Sequence, residues 1–208
     1  MRRGLVEKTL SASNTIRPRT SCRLLPAFSD VPGSLVHILQ KDFVMEISNF
    51  KDMYLAELQE LVSVEDQLAE ALLRMAAAAS HPALKDALVD HHAETARQRE
   101  RLVGILRKHG ADPTAHVDQA MQGLIGETRK MLSILEGDDL RDAGLIASAQ
   151  KLEHYEIAAY GSAAALAGQL DLRDDQMLLH DSLLEEKEAD AILTDIAKGE
   201  VNPDALAA

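Results

Sequence analysis

The sequence predicts an all-α protein: a four-helix bundle with an extra helix in the connection between the two halves. Three observations predict it. Hydrophobic residues make up 46% of the 208 residues but aromatics only 3%, with no Trp. That gives a core of Leu and Ala large enough for one domain, a composition that favours helix over sheet. Four long segments carry core residues spaced alternately by three and four, the period of a helix with one buried face. No strand-like alternation, CxxC pair or phosphate-binding glycine loop interrupts them.

The first helix is expected from about Asn49 to Ala79, with the stripe Leu58, Leu61, Glu65, Leu68, Leu72, Met75. Ser80 is expected to cap the second, from about Pro82 to His109, with Pro82 in its first turn. Its stripe is Leu84, Leu88, His91, Thr95, Gln98, Leu102, Ile105, and Gly110 closes it. A weaker segment, Thr114 to Leu135, contains Gly123 and Gly126 and reads as a connecting helix packed on the outside. The next helix, Asp139 to Leu170, carries Ile146, Ala149, Glu153, Glu156, Tyr160, Ala163 and Ala167. After an LDLRDD turn, the last runs from Asp174 to Lys198 with the stripe Leu179, Leu183, Glu186, Asp190, Leu193, Ala197. Gly199 and Pro203 are expected to stop it, leaving residues 201–208 as a tail.

Residues 1–44 differ from the bundle, residues 45–200. They hold three of the six prolines, five Arg and no clear periodicity, and they read as a disordered extension. One interpretation is an organelle transit peptide. The preferred one is a true start at Met45 or Met53. This segment is net +4 in a chain of net −12, so the rest carries −16. So acidic a body argues against nucleic acid as a partner. No apolar run is long enough to span a bilayer. A lone Cys22 excludes an intrachain disulfide and fits a reducing compartment, so a cytoplasmic setting is expected.

The chemistry lies in acids near the midpoints of the four stripes: Glu65, Glu94, Glu153 with Glu156, and Glu186 with Asp190. Packed side by side, the helices bring six carboxylates to one level, where repulsion is prohibitive without cations. Oxygen-rich sites suit iron, manganese, magnesium or calcium, and two ions between four helices form a carboxylate-bridged di-metal arrangement. His91 is either a satisfied core histidine or a ligand. Tyr160 is a core tyrosine or a hydrogen-bond partner of Glu156, and Gln98 orients a ligand. His154 is one step off the stripe. Six carboxylates with two trivalent ions are neutral, so an oxidised pair is expected unless Arg97 or a proton compensates.

The blocks YLAELQELVSVEDQLAEAL, HHAETARQ, AQKLEHYEIAAYG and LLEEKEAD resemble the YciF/YciE-like family of bacterial ferritin-like proteins, over about residues 50–200. The resemblance implies a ferritin-like bundle, a di-metal centre most readily of iron, with manganese as the alternative, a homodimer and a stress-associated role. The wider di-iron pattern is one Glu, then Glu-x-x-His, in each half. Glu65 and Glu94 match the first half, and Glu153 and Glu186 the second. Glu156 resembles the extra acid of rubrerythrin-type sites. The chain departs from the pattern at Arg97, where a His is expected, and at Ala189, with Asp190 one residue further on.

Two functions follow as expectations. One is a metal pair that reacts with peroxide or oxygen, peroxide being favoured because no substrate-pocket signature is visible. The other is a non-enzymatic structural or stress protein whose metal only staples the bundle. Iron storage would need an assembled cage, which the resemblance argues against.

Overall fold

The computed structural model of the protein describes residues 47–208. The expected extension at 1–44 lies outside them. Four long helices form the bundle: α1 (Phe50–Ala78), α2 (Pro82–Lys108), α4 (Asp138–Gln169) and α5 (Arg173–Ile196), with α3 (Gln119–Ile134) in the connection. Two tight pairs, α1 with α2 and α4 with α5, dock so that α1 faces α4 and α2 faces α5. Around the bundle the order is therefore α1, α2, α5, α4. Helix α3 lies outside, against α4 and α1. Among the described residues there is no strand, and no helix is long and apolar enough to cross a membrane.

The helix ends show how local chemistry and tertiary contacts share the work. Asn49 caps α1, its side chain accepting from the Asp52 amide at 3.0 Å, while Asp52 accepts from Ser48 N and Asn49 Nδ2. This reciprocal arrangement satisfies free amides of the first turn. Ser80, expected to cap α2, does not. His81 holds that position without a side-chain bond. Instead buried Asp142 of α4 accepts the Ser80 and His81 amides at 2.9 and 2.7 Å. Gly110 ends α2 at φ +70°, a conformation that costs other residues a Cβ clash.

Helix α3 begins five residues later than expected, because its approach is tied to α1. Gln59 Nε2 donates to the Asp112 carbonyl, Gln67 Nε2 to the Asp118 carbonyl, and Asp118 N to Ser63 Oγ. Those bonds hold the segment after Asp112, which turns at residues 113–114, against α1 until Asp118 caps α3.

Gly199 and Pro203 do not end the last helix. The chain continues through a π-helical turn, Ala197–Val201, into α6 (Asn202–Ala207). Residues spaced by four drift about 40° around an α-helix, and a wider turn cancels that drift. Leu193, Ala197 and Val201 therefore all reach the core. Pro203 stands at the start of α6, where its missing N–H costs least.

The core is two apolar clusters. One contains Leu68, Leu72, Leu84, Leu88, Leu145 and Leu193. The other contains Tyr54, Leu58, Leu102, Leu106, Tyr160 and Leu179. Between them lies a buried polar layer that includes Glu65, His91, Glu153, Glu156 and Glu186.

Candidate metal centre

Each helix of the bundle places at least one polar side chain in that layer: α1 gives Glu65, α2 His91, α4 Glu153 and Glu156, and α5 Glu186. The glutamates are fully buried and His91 is 6% exposed. One ligand-type atom from each of His91, Glu153, Glu156 and Glu186 lies within 4.8 Å of all the others. His91 Nε2 is 3.0 Å from Glu153 Oε2 and 3.6 Å from Glu186 Oε2. Neither approach is aligned as a hydrogen bond, so both ring nitrogens lack a partner. Also without one are both oxygens of Glu153 and Glu156 and one each of Glu65 and Glu186, six carboxylate oxygens in all. Buried polar atoms are nearly always paired, and several orphans converging on one point mark a site that something else completes.

Two neighbours hold the acids in place. Tyr160 Oη donates to Glu65 Oε1, and Gln98 Nε2 to Glu186 Oε1. Gln98 is itself shared with Glu185, which Arg101 clamps through both guanidinium ends. Such bonds fix a carboxylate's orientation toward a metal.

The electrostatics follow from the missing counter-charge. Burial pushes the Glu65 carboxyl up to about 8, against the bond from Tyr160. Burial raises Glu156 well above the ordinary carboxylate range, with Glu186 adding to it. It raises Glu186 too, opposed by His91 and reinforced by Glu153. For His91 burial acts downward, but Glu153, Glu94 and Glu186 together outweigh it and hold the imidazolium well above its usual range. Without a cation, this layer retains protons at neutral pH. A metal ion competes for the same atoms.

The DUF892 model, a domain of unknown function, matches residues 49–206. The chain belongs to the DUF892 family. Protein YciF of Escherichia coli K12 is 40% identical over 159 residues, which cover 76% of this chain and 96% of that protein. The crystal structure of the E. coli stress protein YciF superposes with a TM-score of 0.71 at 39% identity, over 75% of this chain and 99% of that one. YcfI from Rhodopseudomonas palustris gives a TM-score of 0.70 at 34% identity, over 73% and 97% of the two chains.

Within this DUF892 bundle the sequence-predicted residues divide. Glu153, Glu156 and Glu186 converge with His91, and Glu65 joins the same layer. Glu94 and Asp190 do not reach the cluster. Glu94 stands three residues past His91, so it is turned about 60° away and one turn along. It is partly exposed, 3.7 Å from His91 Nδ1 and 3.4 Å from Arg97. The neighbouring His91 lowers its carboxyl below the usual range. Asp190, four past Glu186, faces the outer α4/α5 seam. There it accepts from Gln150 at 3.0 Å and lies 3.4 Å from His154. Arg97 is exposed and bonded to the Ala93 carbonyl, too far out to neutralise the buried acids. Tyr160 meets Glu65, on another helix, and not Glu156.

One feature had no signal in the sequence. A cavity of about 350 Å³ lies between α2 and α5 and has His91 and Glu153 in its wall. Its apolar residues come from two helices remote in sequence, so no local pattern announces it.

Proposed function

We propose that this DUF892 protein is a ferritin-like di-metal protein that binds two ions, iron or manganese, in the buried layer. Glu153, Glu156, Glu186 and His91 are the inner ligands and Glu65 completes the set. The observation that carries this is the set of six buried carboxylate oxygens without hydrogen-bond partners, gathered around His91 Nε2. Carboxylate with imidazole suits iron and manganese. Of the six acids expected there, only Glu65, Glu153, Glu156 and Glu186 are buried in this layer. Two divalent ions therefore neutralise the layer, and charge balance favours the reduced pair, the reverse of the sequence-based expectation. A redox titration showing a low-potential, oxidised resting pair would count against this.

Such a pair, when bound as divalent ions, would supply the two electrons that, with two protons, reduce peroxide to water. The chain's part is to hold the acids: Tyr160 fixes Glu65, and Gln98, braced by Glu185 and Arg101, fixes Glu186. The stress role is supported by the likeness to YciF, a stress protein of E. coli, and a cytoplasmic homodimer is proposed with it. The test is metal analysis of aerobically purified full-length protein, an absorption spectrum and a peroxide-consumption assay. Two ions per chain are expected, with peroxide consumed in proportion to the divalent metal loaded. Folded protein that neither carries nor takes up metal would overturn the reading.

A structural role is the second reading, favoured by the position of the layer between the two apolar clusters. Chelation would then lower the melting temperature with no turnover to lose.

A further inference from the structure

The two open sides of the bundle are not equivalent. Helix α3 covers the α1/α4 seam. Among the described residues no helix crosses the opposite α2/α5 seam, and the cavity of about 350 Å³ lies there. That is more than twice the ~150 Å³ that admits benzene in an engineered apolar cavity, and it falls in the range of small-molecule sites. Leu88, Leu193, Ile192 and Ile196 supply much of its wall. His91 lines it too, nine-tenths buried and with neither ring nitrogen bonded, next to Glu153. Every other charged residue of the wall is acidic: Asp86 and Asp90, both exposed, and the half-exposed Glu94. No Lys or Arg lines it.

We propose that this cavity binds a compact apolar organic molecule, neutral or positively charged, with one end held against His91 and Glu153. This deepens the reading above, on which it rests, by naming the class of substrate that reaches the metal centre. Apolar walls accept a hydrocarbon body. Asp86, Asp90, Glu94 and Glu153 outnumber the single imidazole of the wall, which already lies 3.0 Å from Glu153, and so they disfavour an anionic head.

The experiment titrates full-length protein with 1-octanol, octylamine and octanoate by calorimetry, with metal content measured on the same samples. Octanol and octylamine are expected to bind saturably, and octanoate about tenfold more weakly or not at all. Ala87→Leu and Ala189→Leu, which fill the cavity from α2 and α5, are each expected to weaken octanol binding about tenfold while leaving metal content unchanged. Two substitutions guard against one that misfolds. Octanoate binding as tightly as octylamine overturns the proposal, as does octanol binding that neither variant weakens. If Ile192→Glu dissociates a dimer and no probe binds the parent protein, the seam is a subunit interface and the proposal fails. Metal-loaded protein that takes none of the probes also overturns it, with the metal reading intact. Metal-free protein that binds octanol supports the cavity while removing the metal reading.

Discussion

Two buried acid clusters in this bundle solve the same problem in opposite ways. Near one end, Asp175 is 1% exposed, yet both of its oxygens are engaged. It accepts from Lys108 Nζ at 2.8 Å and Tyr54 Oη at 3.3 Å, and His109 Nε2 lies at 2.7 Å. Although burial works against it, Lys108 and His109 hold its carboxyl below the usual range. In the central layer, burial raises Glu65, Glu156 and Glu186, and the one imidazole, with no Lys or Arg beside it, does not offset it. The comparison separates two uses of a buried acid. Where the protein brings its own cation, the acid is a fastener between helices. Where it withholds one, the acids keep protons and form a cluster that could hold a metal ion.

Five predictions test that division, beginning with the largest effect. Asp175→Ala should cost about 3 kcal/mol in urea unfolding, because it strands the groups that Asp175 pairs. The loss should be equal with and without chelator; a loss seen only in metal-loaded protein would erase the distinction. Glu156→Leu should act in the opposite sense. In metal-free protein it removes an uncompensated buried acid and should stabilise by roughly 2 kcal/mol, while bound metal is lost. If metal-free Glu156→Leu is instead less stable than the parent, the layer is not short of positive charge.

The third is a pH profile. Glu65 is raised from 4.5 to about 8 in the folded chain. Between those values the folded state holds a proton that the unfolded state has released, so stability falls as pH rises. Raised His91 acts with the same sign above its unfolded value of 6.5. The melting temperature of metal-free protein should therefore drop from pH 5 to pH 8, and bound metal should flatten the curve. Melting scans at matched ionic strength decide this, and a rising metal-free curve would refute it.

Fourth, Asp142→Ala should cost about 1–2 kcal/mol, the range of a lost helix cap, and leave metal content alone. This buried acid is paired by backbone amides, so it belongs with Asp175. The smallest effects are expected from Arg97→Ala and Asp190→Asn. Each should shift stability by no more than about 0.5 kcal/mol, as for exposed pairs, with metal content unchanged by elemental analysis. Metal loss in Asp190→Asn would return that residue to the centre.

Much of this was legible because helical period places a residue's face without knowledge of its neighbours. Glu65, Glu153, Glu156 and Glu186 lie on stripes of Leu and Ala, and those stripes meet. Period alone could not separate residues one turn apart on nearly the same face. Glu94 and Asp190 therefore entered the expected ligand set, and His91, three residues before Glu94, stayed undecided. What brings His91 into the layer and leaves Glu94 and Asp190 outside it is the height at which four helices cross, a property of packing. Contacts distant in sequence were equally hidden. Nothing near Ser80 reveals that residue 142 supplies the acceptor for its amide, or that Gln59, Ser63 and Gln67 delay the start of α3.

The Asp142 clamp has a consequence for the order in which the molecule completes itself. Emerging from the ribosome, α1 and α2 can pair as soon as both exist, but the amides of Ser80 and His81 then face water. Their acceptor is made some sixty residues later. Until α4 docks, water is the acceptor left to those two amides. The same docking event closes the acid layer, so the chain cannot finish its early half without assembling its late one.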